Sequence, residues 1–217
     1  MDYILRGDTV KKILVLLILL TILLGWAFKQ SHTTPQNEDA SEKALLLYEE
    51  FLNGSINAKK DGNSININDI FRLDDEEQSK YNRYALFDMN GDGLPELHVR
   101  SVGSYNIFTY NNGNIILWHS DVSYSYPLNN GAILYTRNGG APSHIDYAYT
   151  LFDFYGNQIF KIYFSVYDAT NENNYDENAL FIFDEIELSK ENWDSLTERY
   201  LSVKSDLIKW TAYEKSK

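Results

Sequence analysis

Between residues 111 and 157 the segments "NNG", "NNG" and "YGN" each set an Asn-Gly or Gly-Asn step beside runs that alternate apolar and polar residues. That pattern permits little except hairpins. "YNIFTY" and "NIILWH" flank "NNG" at 111–113, "GAILYT" follows a second "NNG" at 129–131, and "YTLFDF" and "QIFKIYFSVY" flank "YGN" at 155–157. Asn and Gly accept the positive φ that tight hairpins demand, so each marks a reversal between neighbouring antiparallel strands. The 17 Tyr and 11 Phe fit the same picture, because aromatic side chains pack well on a pleated surface. Consecutive hairpins predict an antiparallel β-meander.

Helical signals bracket the meander. In "DASEKALLLYEEFLNG" Asp39 is a candidate cap with Glu42 three residues on. Ala44, Leu45, Tyr48, Phe51 and Leu52 recur at helical spacing, and Gly54 can close the helix. "SKENWDSLTERYLSVKSDLIKW" opens at a Ser cap and carries Trp193, Leu196, Tyr200 and Leu201 on one side, with a strand "NALFIFDEIEL" leading into it. Residues 57–83 mix turn residues with a short alternation, Ile65, Ile67 and Ile70, and read as a loop-rich entry to the sheet. The expected fold class is α+β: an antiparallel β-meander with an N-terminal and a C-terminal helix.

Ahead of this domain, Ile13 to Phe28 form an unbroken apolar run, "ILVLLILLTILLGWAF", preceded by Lys11 and Lys12 and closed by Lys29. As a helix it reaches about 24 Å, which spans the hydrocarbon core of a bilayer if Trp26 and the lysines sit at the interfaces. A signal peptide has a similar charged start and apolar stretch, and Gly25 and Ala27 suit a cleavage site. Both readings mean export, with the basic residues on the cytoplasmic side. The expected division is a cytoplasmic N-terminus at 1–12, a transmembrane anchor or signal at 13–28, a linker at 29–38 and an extracytoplasmic domain at 39–217. The localisation that follows is the cell membrane, single-pass with the domain outside, or secretion if the segment is cleaved.

Residues 30–217 carry 15 basic against 29 acidic residues, a net of −14. That balance disfavours nucleic acid and anionic lipid as partners of the domain and favours cations. The chain has no cysteine, which removes disulfides, thiolate nucleophiles and Cys-ligated zinc.

A cation site is legible in "FDMNGDGLPELHV", Phe87 to Val99. Calcium takes six to eight oxygens at about 2.3–2.6 Å, and a tight loop supplies them when alternate side chains turn inward. Asp88, Asn90 and Asp92 stand at relative positions 1, 3 and 5, the Leu94 carbonyl at 7 and Glu96 at 9, with Gly91 and Gly93 permitting the sharp path. An EF-hand would also place a Glu at position 12, where this chain has Val99. With "YNIFTYNNGN" after it, the stretch resembles one strand-loop-strand calcium unit of FG-GAP and VCBS-type repeats. The resemblance covers about 30 residues, occurs once, and implies a loop 88–96 holding Ca2+ through Asp88, Asn90, Asp92, the Leu94 carbonyl and Glu96. The whole exported region also resembles uncharacterised exported proteins of anaerobic Gram-positive bacteria, which carry a "LYEEFLNG"-like helix, one such loop, "GGAP" and a "SKENW"-like helix. That resemblance implies no activity.

Alternatives are less specific. "TNENNYDEN" at 170–178 is acidic but lacks glycines and regular alternation, and reads as a loop. His32, His98, His119 and His144 form neither HExxH nor any close pair. Ser143 adjoins His144 without a GxSxG elbow. Tyr105, Tyr110, Trp118, Tyr124, Tyr126 and Tyr147 would make a stacking surface for a glycan or peptide if exposed, and sheet packing if buried. The functional expectation is an extracytoplasmic, membrane-tethered, calcium-binding protein that serves as a surface binding or adhesion module and is not an enzyme. The alternative is a cell-wall or glycan hydrolase with an unidentified acidic catalytic pair.

Overall fold

The computed structural model describes residues 35–71, 76–122, 124–138, 144–153, 155–168 and 175–214. The chain divides into Met1–Asp39 and Ala40–Lys217, and both sheets belong to the second unit. The apolar run at 13–28 lies outside the described residues. Among the described residues no helix is long and apolar enough to cross a membrane.

The expected α+β class is corrected. Strand dominates the described residues, 45% against 21% helix, and it forms two sheets rather than one meander. The first sheet is a meander of β3 (Arg83–Phe87), β4 (Glu96–Ser101), β5 (Ser104–Asn111) and β6 (Asn114–Asp121), extended at its far side by β1 (Ala58–Lys60) and β2 (Asn63–Ile65). β1 joins β6 in parallel at Lys59↔Ile116, so the segment expected to be loop-rich supplies two strands. The second sheet runs β7 (Ser125–Pro127), β8 (Ala132–Asn138), β9 (His144–Phe152), β10 (Gln158–Tyr167), β11 (Leu180–Phe183) and β12 (Ile186–Leu188) in sequence order. A last strand, β13 (Thr211–Ala212), returns to the first sheet beside β3. The hairpin signals are right locally, but a turn dictates only the pairing of its own two strands. The break between sheets falls after β6, where no apolar alternation changes.

Four layers result. Helix α1 (Pro35–Leu52) sets Ala44, Tyr48 and Phe51 against Leu97, Val99, Phe108 and Ile115 on one face of the first sheet. It begins four residues before the expected cap, so Asp39 lies within it. The opposite face packs Tyr105 and Ile107 with Met89, Trp118, Trp210 and, from the second sheet, Ile133 and Phe152. Strand alternation turns Ile133 inward and its neighbour Leu134 outward. On the outer face Leu134, Tyr149, Phe164 and Phe181 meet Trp193 and Tyr200 of the C-terminal helix, Lys190–Leu201, whose N-cap is Ser189 as its sequence predicts. Two helices of four residues each, α2 (Ile67–Ile70) and α3 (Glu76–Ser79), lie between β2 and β3; the C-terminal helix is α4. Each sheet therefore has its own helix, and the space between the sheets is filled largely by aromatic rings.

Candidate functional site

The acidic loop joins β3 to β4, flanked by the strands expected of "YALFD" and "ELHVR". Gly91 and Gly93 both adopt left-handed backbone, φ 79° and 85°, which an L side chain enters only with strain. Side-chain oxygens then capture the backbone N–H groups that the tight path leaves over. Asp88 Oδ1 accepts from Gly91 N at 2.7 Å and Asp92 N at 3.1 Å, and Oδ2 accepts from Gly93 N at 2.9 Å. Asn90 Oδ1 accepts from Asp92 N at 3.0 Å. Asp92 Oδ1 accepts from Leu94 N at 2.7 Å, and its Oδ2 from Asn90 Nδ2 at 3.2 Å. Glu96 Oε2 reaches back to Met89 N at 2.8 Å.

Five predicted positions thus share one loop, and all of the donors a cation would use there are oxygens. Such hard donors suit Ca2+ better than zinc or copper. Their side chains are turned to backbone amides, and among the described residues no three His, Asp or Glu side chains converge as a metal centre requires. A carboxylate has about four lone-pair sites, so each of Asp88, Asp92 and Glu96 keeps acceptor capacity beyond its hydrogen bonds.

Glu96 is the unusual member. It is 1% exposed, on the inner face of β4. Burial, reinforced by the carboxylates of Asp92 and Asp88, pushes its carboxyl up to about 8. Asp92 is also raised, first by burial. The Tyr48 hydroxyl of α1 is raised by its own burial and then by the charges of Glu96 and Asp92, which places the helix within the electrostatic reach of the loop.

The histidines do not assemble. His98 is fully buried next to Glu96, its Nδ1 2.7 Å from the Tyr105 hydroxyl and its Nε2 without a partner; burial lowers it to about 4 and keeps it neutral. His119 lies 3.8 Å from Asp121, and His144 2.9 Å from Asp146. His32, Ser143 and the first part of the 170–178 segment lie outside the described residues. Of the two readings of the aromatic residues, the packing one describes five of the six. Tyr105 is buried, Tyr110, Trp118, Tyr126 and Tyr147 pack against the three cores, and of the six only Tyr124 is exposed.

One constellation has no signature in the sequence. Arg83 and Arg100 stand directly opposite each other on β3 and β4, although they are 17 positions apart in the chain. Only the register set by the acidic loop brings them together. No family model, no curated protein and no solved structure matches the chain.

Proposed function

We propose that this chain is an extracytoplasmic calcium-binding protein, tethered at the membrane by the apolar run at 13–28, in which Ca2+ stabilises a surface binding or adhesion module. The observation that carries this reading is the single loop between paired strands that supplies Asp88, Asn90, Asp92, the Leu94 carbonyl and Glu96. A polar turn needs one or two such residues to satisfy its amides; this one sets the carboxylates of Asp88 and Asp92 beside the buried Glu96, whose ionisation is opposed by their repulsion. A bound cation relieves that repulsion, and binding to the folded state alone adds to stability. The −14 balance of residues 30–217 and the absence of cysteine suit a calcium-rich exterior.

The test is a thermal melt of the full-length chain in detergent, in chelator and then in calcium. With a Kd of about 10⁻⁴ M, a hundredfold excess of calcium stabilises by about 2.7 kcal/mol, or roughly 5–10 °C for a domain of this size. An unchanged melting temperature contradicts the reading.

A further inference from the structure

The β4–β5 hairpin carries a second site at the opposite end of β4 from the acidic loop. A surface hollow of about 320 Å³ is lined by Tyr81, Arg100, Ser101, Val102, Gly103 and Tyr124. Both tyrosines are largely exposed, 64% and 61%, and Val102 is exposed as well. Its walls are mostly apolar, and the guanidinium of Arg100 forms its one charged element.

That guanidinium is held in place with its charge uncompensated. It lies 4.9 Å from the Trp210 ring centre and 5.6 Å from that of Tyr105, and Nη2 donates to the Ser125 carbonyl. Nε is buried without a partner. Among the described residues neither Arg100 nor Arg83 forms an ion pair with a carboxylate, in a chain with 12 more acidic than basic residues. Like charges directly opposite on neighbouring strands destabilise a sheet, so the Arg83–Arg100 pairing costs stability unless an anion offsets it. Burial lowers the Arg100 guanidinium from its usual value.

We propose that this hollow binds a monoanionic carboxylate attached to an aromatic or aliphatic body. The carboxylate meets the Arg100 guanidinium where it lines the hollow, a planar group suited to carboxylates. The apolar body lies against Tyr81, Tyr124 and Val102. A single carboxylate fits better than a phosphate dianion, because Arg100 already spends Nη2 on a carbonyl and Arg83 donates Nη1 to the Asn82 carbonyl at 2.9 Å. The site stands independently of the calcium loop.

The experiment follows the Arg100 Nε–Hε resonance of the full-length chain in detergent during titration with phenylacetate, phenylacetamide and phenyl phosphate. Phenylacetate produces a saturable shift with a Kd of about 1 mM, and the neutral amide does not. Tyr124→Ala, a change at an exposed ring, weakens phenylacetate binding at least about fivefold without altering the melting temperature, consistent with loss of one aromatic contact. Arg100→Lys, with its fold checked by the same melt and its binding followed on the ligand resonances because the Nε–Hε probe is gone, abolishes the discrimination between acid and amide. Equal response to acid and amide, no response to the acid, an unaffected Tyr124→Ala variant, or tighter binding of phenyl phosphate each overturns the assignment.

Discussion

Gly131→Ala lowers the unfolding free energy by roughly 3–5 kcal/mol, the largest loss expected from a single methyl group in this chain. Gly131 sits in the turn between β7 and β8 with φ 79°, and a Cβ there would fall 2.3 Å from the Met89 carbonyl oxygen. Both partners of that clash are backbone, so no rotamer change relieves it. The turn is itself closed by Gly131 N donating to the Leu128 carbonyl and Leu128 N to that of Ala132. Met89 follows Asp88 and donates its N–H to Glu96, so displacing it also disturbs the acidic loop. Urea denaturation of wild type and variant measures the loss, and a difference below about 1 kcal/mol contradicts the close packing of the second sheet on the loop.

The second large effect concerns pH. In chelator, wild-type stability falls by about 2 kcal/mol between pH 6.5 and 8, and Glu96→Gln removes that slope. The sign follows from where the proton resides. Glu96 stays protonated in the fold up to about 8, whereas in the unfolded chain it ionises near its ordinary value of 4.5. Between those values the unfolded state has already lost the proton, so rising pH favours unfolding. His98 acts in the opposite sense lower down: neutral in the fold to about 4, it takes up its proton first in the unfolded chain below 6.5, so stability is lost as pH falls. Above pH 6.5 most of the unfolded His98 has lost its proton as well, and most of the remaining slope belongs to Glu96. Urea midpoints across this range, for wild type and Glu96→Gln, check the claim. A flat wild-type profile in chelator would show that Glu96 ionises normally.

Much of the local structure was legible because it is local. Asn112 and Gly113 both take positive φ, 47° and 78°, as a two-residue hairpin requires, and Ser189 caps its helix. The acidic loop falls between the two strands expected to flank it, while its side chains turn to the loop's own amides rather than to a shared centre. What depends on distant partners was not legible. Asp184 and Glu185 make a positive-φ turn between β11 and β12 without the usual Asn-Gly chemistry, so one expected strand is two. Two residues of β13 join the first sheet from the far end of the chain, with nothing in "KWTAYE" to announce it. Tyr105 and Tyr163 are alike as letters in alternating strands, yet Tyr105 is buried between the sheets and Tyr163 is 57% exposed. Sheet membership decides that difference, and turns do not encode it. For the same reason the Arg83–Arg100 pair could not be found before the register was known.

Calorimetric titration of calcium into the full-length chain, beside the Asp88→Ala, Asp92→Ala double variant, tests the central claim most directly. The account predicts saturable heat for one ion, with a Kd of about 10⁻⁴ to 10⁻³ M, and none for the variant. Equal behaviour of the two proteins, whether both bind or both stay silent, would make Phe87 to Val99 a polar hairpin whose carboxylates serve only its own amides.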